Sequence, residues 1–153
     1  MAITNPPEGY HSVTPYLVIA GAEAAIDFYA RAFGAVEKLR LPMGDKIGHA
    51  ELQIGSSIIM VADEFPDMDI LGPRSRGGPT ASFLIYVPDV DAAFEKAIAA
   101  GGTIDKPITT QFWGDRIGAL IDPFGHKWSI ATVVEEVPEA EMQKRMEAFS
   151  AEN

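Results

Sequence analysis

His49, Glu51 and Gln53 recur at every second position of the segment Ile47–Ile54. If that segment is a strand, the alternation puts an imidazole, a carboxylate and an amide on one face and Gly48, Ala50, Leu52 and Ile54 on the other. His49 and Glu51 are then close enough to share a proton or to orient one polar ligand, so they are the candidate catalytic pair and Gln53 a candidate ligand contact. The same pattern also describes an ordinary solvated strand face. His11, placed beside the pair, would open a metal site, although two of its three ligands would then come from one strand. A second cluster, Gln111-Phe112-Trp113-Gly114-Asp115-Arg116, combines aromatic and charged groups. Trp113 can stack a flat ligand while Arg116 holds an anionic group and Gln111 adds a polar contact. Alternatively, Asp115 and Arg116 pair with each other or with the backbone and only shape the loop. His126, after a turn glycine, reads as turn-stabilising or exposed; Arg74 and Arg76 either cap an anionic substrate or are plain surface.

These residues need elements to hold them, and hydrophobic periodicity supplies two sets. Val13–Ile19 reads as a strand, Ala22–Phe33 as a helix with Ala25, Ile26, Tyr29, Ala30 and Phe33 on one face, and Gly34 as its stop. Strand-like segments follow at 36–41, 47–54 and 57–63. The order then repeats: strand Ala81–Val87, helix Val90–Ala100 with Asp89 as N-cap and Gly101-Gly102 as stop, then strands at 103–108, 116–121 and 127–133. Asp122-Pro123-Phe124-Gly125 is the turn between the last two, since proline presets φ and glycine accepts positive φ. Both halves read βαβββ. Residues 64–79, rich in proline and glycine, form a linker, or a lid, given their length. After Pro138 the tail is helical over 138–150, with a stripe of Met142, Met146 and Phe149 and a Glu141–Arg145 pair at i,i+4; the stripe packs on its own domain or on a second subunit.

Composition narrows the function. The 153 residues, 47% hydrophobic, suffice for one compact domain. No apolar run approaches the roughly 18 residues of a membrane span, and nothing resembles a secretory signal, so a cytoplasmic protein is expected. The absence of cysteine excludes disulfides and thiolate chemistry. With 22 acidic against 12 basic residues and a formal charge of -10, the surface repels phosphate backbones, so nucleic acid is not an expected partner.

The repeated βαβββ order, with HAELQIGSSIIMVAD (49–63) and FWGDRIGALIDPFGHKWSIAT (112–132), resembles the vicinal oxygen chelate superfamily of glyoxalase, bleomycin-resistance and extradiol-dioxygenase proteins, most closely its PhnB-like branch. The resemblance implies an α+β fold in residues 10–134, with module one at 10–63 and module two at 80–134 joined as one curled mixed sheet around a cup, plus the C-terminal helix. Metal enzymes of this superfamily carry His, Gln or Glu on the first and last strands of each half. Here those positions fall at Val13 or Thr14, Met60, Ser82 and Ser129, which are poor ligands. Met60, Ser82 and Ser129 are accordingly expected to contact a ligand directly, with no metal and no cofactor. The first expectation is thus a homodimeric protein holding a small organic ligand in its cup, with residual enzyme activity left open. The second is a metal-dependent lyase, isomerase or dioxygenase with relocated ligands, and the third a protein-interaction module.

Overall fold

A computed structural model describes residues 2–153. The elements run β1 (Tyr16–Ile19), α1 (Ala22–Phe33), β2 (Val36–Met43), β3 (Lys46–Ile54), β4 (Ser57–Asp63), β5 (Ser82–Tyr86), α2 (Val90–Ala99), β6 (Thr103–Thr110), β7 (Asp115–Ile121), β8 (Lys127–Val133) and α3 (Glu139–Glu152). The fold is α+β: two four-stranded mixed sheets of identical topology, ordered β1-β4-β3-β2 and β5-β8-β7-β6, and three helices. In each sheet the first strand pairs parallel with the last, and the others are antiparallel. A parallel pair needs a crossover, which α1 and α2 supply.

The two modules also cap their helices from the same place. At the end of β4, Asp63 Oδ1 accepts from the backbone N–H groups of Gly21 and Ala22 at the start of α1. At the corresponding point of β8, Thr132 Oγ1 accepts from Val90 N–H and donates to Val87 O. The orphan donors of both helix starts are therefore satisfied by the strand that closes the module, which ties each helix to its sheet.

One face of each sheet is covered by helix. Ala50, Leu52, Ile54, Ile59 and Val61 of the first sheet and Leu120, Trp128 and Ile130 of the second belong to one buried cluster with Ile26, Phe28 and Tyr29 of α1 and Phe94 and Ala97 of α2. The cluster is continuous between modules. The Tyr29 ring lies 5.2 Å from that of Trp128, and Phe33 4.7 Å from it. Asp122, 2% exposed, accepts from Tyr29 Oη at 2.6 Å, from Trp128 Nε1 at 2.9 Å, and from the backbone N–H groups of Phe124 and His126. A buried carboxylate is tolerated because four donors surround it.

Two sequence expectations change. The first strand begins at Tyr16, not Val13, because Val13 precedes Pro15 by two residues and is 84% exposed. Strict alternation put Gly48 on the helix side of β3, but the pairing shifts between Leu41/His49 and Pro42/Ile47, so Ile47 joins the core instead. The 64–79 segment is a folded loop. Phe65 and Ile70 bridge, Glu64 Oε1 accepts from Gly72 N–H and Ser75 Oγ, and Gly72 and Pro73 are buried.

Candidate functional site

The uncovered face of the first sheet carries the polar triplet of β3. His49, Glu51 and Gln53 are half-buried there while Ala50, Leu52 and Ile54 are buried beneath them. Register shows which neighbours share that face. Met60 of β4 lies opposite both Glu51 and Tyr16, and Leu39 and Leu41 of β2 lie opposite Glu51 and His49. A hydrogen-bonded chain results. Tyr16 Oη is 2.6 Å from His49 Nδ1, His49 Nε2 is 3.1 Å from Glu51 Oε1, and Tyr10 donates its hydroxyl proton to Glu51 Oε2. If Tyr16 donates to Nδ1, the remaining ring proton sits on Nε2 and points at Glu51, so one tautomer satisfies both contacts. The hydroxyl of Tyr10 and then the His49 ring hold the Glu51 carboxyl below its ordinary range. Burial and the nearby Glu51 charge push the Tyr16 phenol above its own.

Tyr10 and Tyr16 were missed by sequence reasoning. The signal was present in two tyrosines, one just before the predicted first strand and one within it. What spacing does not encode is the parallel register that sets Tyr16 beside Met60 and Glu51, more than 30 residues away. Gln53, by contrast, donates to Gly55 O within its own turn. His11 is exposed, and among the described residues no three His, Cys, Asp or Glu side chains gather to hold a metal ion.

The uncovered face of the second sheet is organised around Asp115, 7% exposed at the start of β7. Its Oδ2 accepts from Trp113 Nε1 at 3.1 Å and Tyr86 Oη at 3.2 Å, so a single carboxylate orients two aromatic rings. Trp113 is 36% exposed and Tyr86 more so. Ser129 lies between Leu84 and Ala119 in register on this face; Ser82 pairs with Lys127, one step further along. The expected positions Met60 and Ser129 face Tyr16 and Leu84 on the first strands of their sheets, and Ser82 faces Lys127. A phenol, a thioether, two hydroxyls and an ammonium are not a donor set for a divalent catalytic metal.

Arg116 is not at this face. It follows Asp115 by one residue, so it projects to the helix side, where its guanidinium makes two contacts of 2.9 and 2.7 Å to Asp91 of α2. Neither does it pair with Asp115. Gln111 donates to Thr109 Oγ1, and its backbone closes the loop to Asp115. His126 Nε2 donates to Val18 O across the modules at 3.0 Å, and Arg76 is held by Asp69; Arg74 is exposed.

The loop carrying Trp113 is fastened from behind by the tail. Arg145 of α3 reaches Phe112 O at 2.9 Å and both oxygens of Glu135, and Phe149 packs 5.4 Å from the Phe112 ring. Gly114, with φ of 102°, lets the chain pass against Glu135 O, which a Cβ would meet at 2.0 Å. The predicted Glu141–Arg145 pair is present at 3.0 Å.

Every hydrogen bond of the His49 and Asp115 groups stays within its own module, so the chain presents two separate uncovered faces. Between the edge strands β1 and β5 lie two clefts. One of about 520 Å³ is lined by Tyr16, Val18 and Phe83 with His126, Arg76 and the 71–81 segment. The other, about 400 Å³, lies between the 54–57 turn and β5.

Comparison with known proteins adds an independent line. The model of the glyoxalase/bleomycin resistance protein/dioxygenase superfamily matches residues 10–130. An uncharacterised protein of Mycobacterium tuberculosis is 42% identical over 150 residues, covering 95% of this chain and 86% of its own. Among solved structures, TioX from Micromonospora aligns with a TM-score of 0.63 at 31% identity, covering 79% of this chain and 97% of that one. The PhnB protein from Bacillus cereus aligns with the same TM-score at 19% identity, over 80% and 99% of the two chains, a likeness of fold alone.

Proposed function

Since the chain belongs to the glyoxalase/bleomycin resistance protein/dioxygenase superfamily, we propose that it binds a small organic ligand on the uncovered faces of its sheets, without a metal at the family's usual positions. The observation that carries this reading is the Tyr10–Glu51–His49–Tyr16 chain. Four polar side chains hydrogen-bonded to one another on one face hold each other in place, an arrangement suited to orienting a polar ligand. Glu51 and His49 remain the candidate catalytic pair. Met60, Trp113 and Ser129 are candidate contacts, joined by Tyr86; Gln53, Gln111 and Ser82 line the edges. The PhnB-like branch is proposed on the WGDR and DPFGHKW segments, 113–116 and 122–128.

A second copy of the chain completes the site in this reading. The uncovered face of the first sheet exposes Tyr16, Leu39 and Leu41, and that of the second exposes Leu84, Tyr86 and Val133. Apolar side chains of this size, flanked by unpaired strand edges, are surface that a partner sheet covers, and a homodimer would bring a His49 face against a Trp113 face.

The test is a thermal-stabilisation screen with metabolites and antibiotics, with elemental analysis of protein purified without chelator. A ligand at about 100 times its Kd stabilises by roughly 2.7 kcal/mol. Glu51→Gln and Trp113→Ala should each weaken binding of any hit by more than ~1 kcal/mol. Normal binding in both variants would refute the placement. A stoichiometric transition metal, lost on replacing His49 or Glu51, would refute the metal-free site.

A further inference from the structure

We infer that Tyr16, His49 and Glu51 form a proton relay whose working end is the Tyr16 hydroxyl at the 520 Å³ cleft, acting on a flat molecule with an acidified C–H bond. The inference rests on the reading that the chain binds small organic molecules, and it adds an activity and a location to it.

The order of groups is that of a nucleophile, a histidine and an orienting carboxylate. Tyr16 Oη sits 2.6 Å from Nδ1, and Glu51 Oε1 lies 3.1 Å from Nε2 on the opposite side of the ring. Glu51 therefore fixes the tautomer that leaves Nδ1 free to accept, and its charge stabilises the imidazolium that forms when Nδ1 takes a proton. Tyr10, on the other carboxylate oxygen, holds Glu51 in place. Tyr16 is the only member of the set that also lines the cleft, and it is 50% exposed. The cleft has the size of a small-molecule site, and Phe83 and Val18 supply flat apolar walls. Its lining contains no carboxylate, although the chain carries a formal charge of -10, so it does not repel an electron-rich substrate.

The step balances without a co-reactant. The substrate C–H proton passes to Tyr16 Oη as the tyrosine's own proton passes to His49 Nδ1. The electron pair left on carbon moves into the substrate, and His49 later returns the proton to solvent or product.

The probe is 5-nitrobenzisoxazole, a flat molecule that reports base catalysis directly. Loss of its ring C–H proton makes a C≡N bond, breaks the N–O bond and releases a coloured cyanonitrophenolate. The expected result is saturable turnover at least 100-fold faster than free imidazole at the same concentration. Tyr16→Phe, which keeps the ring, should reduce kcat at least tenfold with KM little changed. His49→Gln should do the same, as a second variant on an exposed face should the first fold poorly. Glu51→Gln should lower kcat several-fold and shift its pH profile, since its role is to orient the His49 ring and stabilise its charged form. Phe83→Ala should raise KM instead, and Lys144→Gln on α3 should match the parent. Turnover no faster than imidazole, or a folded Tyr16→Phe variant as active as the parent, overturns the relay. Saturable binding of the probe in that case leaves the binding reading standing, whereas no binding of the probe or of any screened compound overturns both.

Discussion

At the scale of single residues, the strongest constraints are carboxylates that do not face solvent. Asp122 holds Tyr29, Trp128 and two turn amides, so Asp122→Ala would strand two buried side-chain donors and open the turn. Urea unfolding should show a loss of about 3 kcal/mol or more, with Asp122→Asn losing less because it keeps one acceptor. Glu51 is tested by pH. Its carboxyl is held below the ordinary range in the fold, so it contributes stability above the unfolded-state value of about 4.3, and that contribution disappears as pH falls through the lowered folded value. The stability difference between parent and Glu51→Gln should be constant from neutral pH to about 5 and shrink on further acidification; a difference that grows there would contradict the hydrogen-bonded, ionised assignment. Part of this was legible beforehand. Alternation along 47–54 separated His49, Glu51 and Gln53 from the core side chains correctly, because period-two patterning is a local property. The partner of Arg116 was not legible, because Asp91 lies on α2, 25 residues earlier, and only the packing of that helix on β7 brings the two together.

At the scale of elements, α1 ends where Gly34 takes a left-handed conformation, and α2 starts where Asp89 accepts from Ala92 N–H, both as the sequence indicated. Helix limits are written in such residues. The β1 start was not, since Val13-Thr14-Pro15 continues an apolar pattern that the proline interrupts only in three dimensions. The tail was legible as a helix, yet its task was not: Arg145 and Phe149 fasten the Trp113 loop, a relation between residues more than 30 apart. Gly114 is the tightest point of that arrangement. Gly114→Ala combines an unfavourable positive φ with a collision against Glu135 O, so the 133–137 segment must move. The variant should lose about 2 kcal/mol or more, and hydrogen exchange should accelerate from Phe112 through α3 while α1 is unaffected. Uniform acceleration would show that the loop and tail are not a unit.

At the scale of the whole molecule, the two uncovered faces set the expected assembly. Light scattering should report a dimer at micromolar concentration, and Leu41→Glu combined with Leu84→Glu, one charge on each apolar face, should give a folded monomer. A parent chain already monomeric at that concentration would remove the dimer and leave the ligand to the cleft alone. The bond between Tyr29 and Asp122 has a further consequence, for how the chain comes apart. Each module closes its own sheet, which invites a melting curve in two steps. But Asp122 belongs to one module and its tyrosine partner to the other, and the ring of Trp128 rests on α1, so neither half retains a finished interior once the other opens. Calorimetry should therefore find a single transition with equal calorimetric and van't Hoff enthalpies, and Tyr29→Phe should lower its midpoint without splitting it.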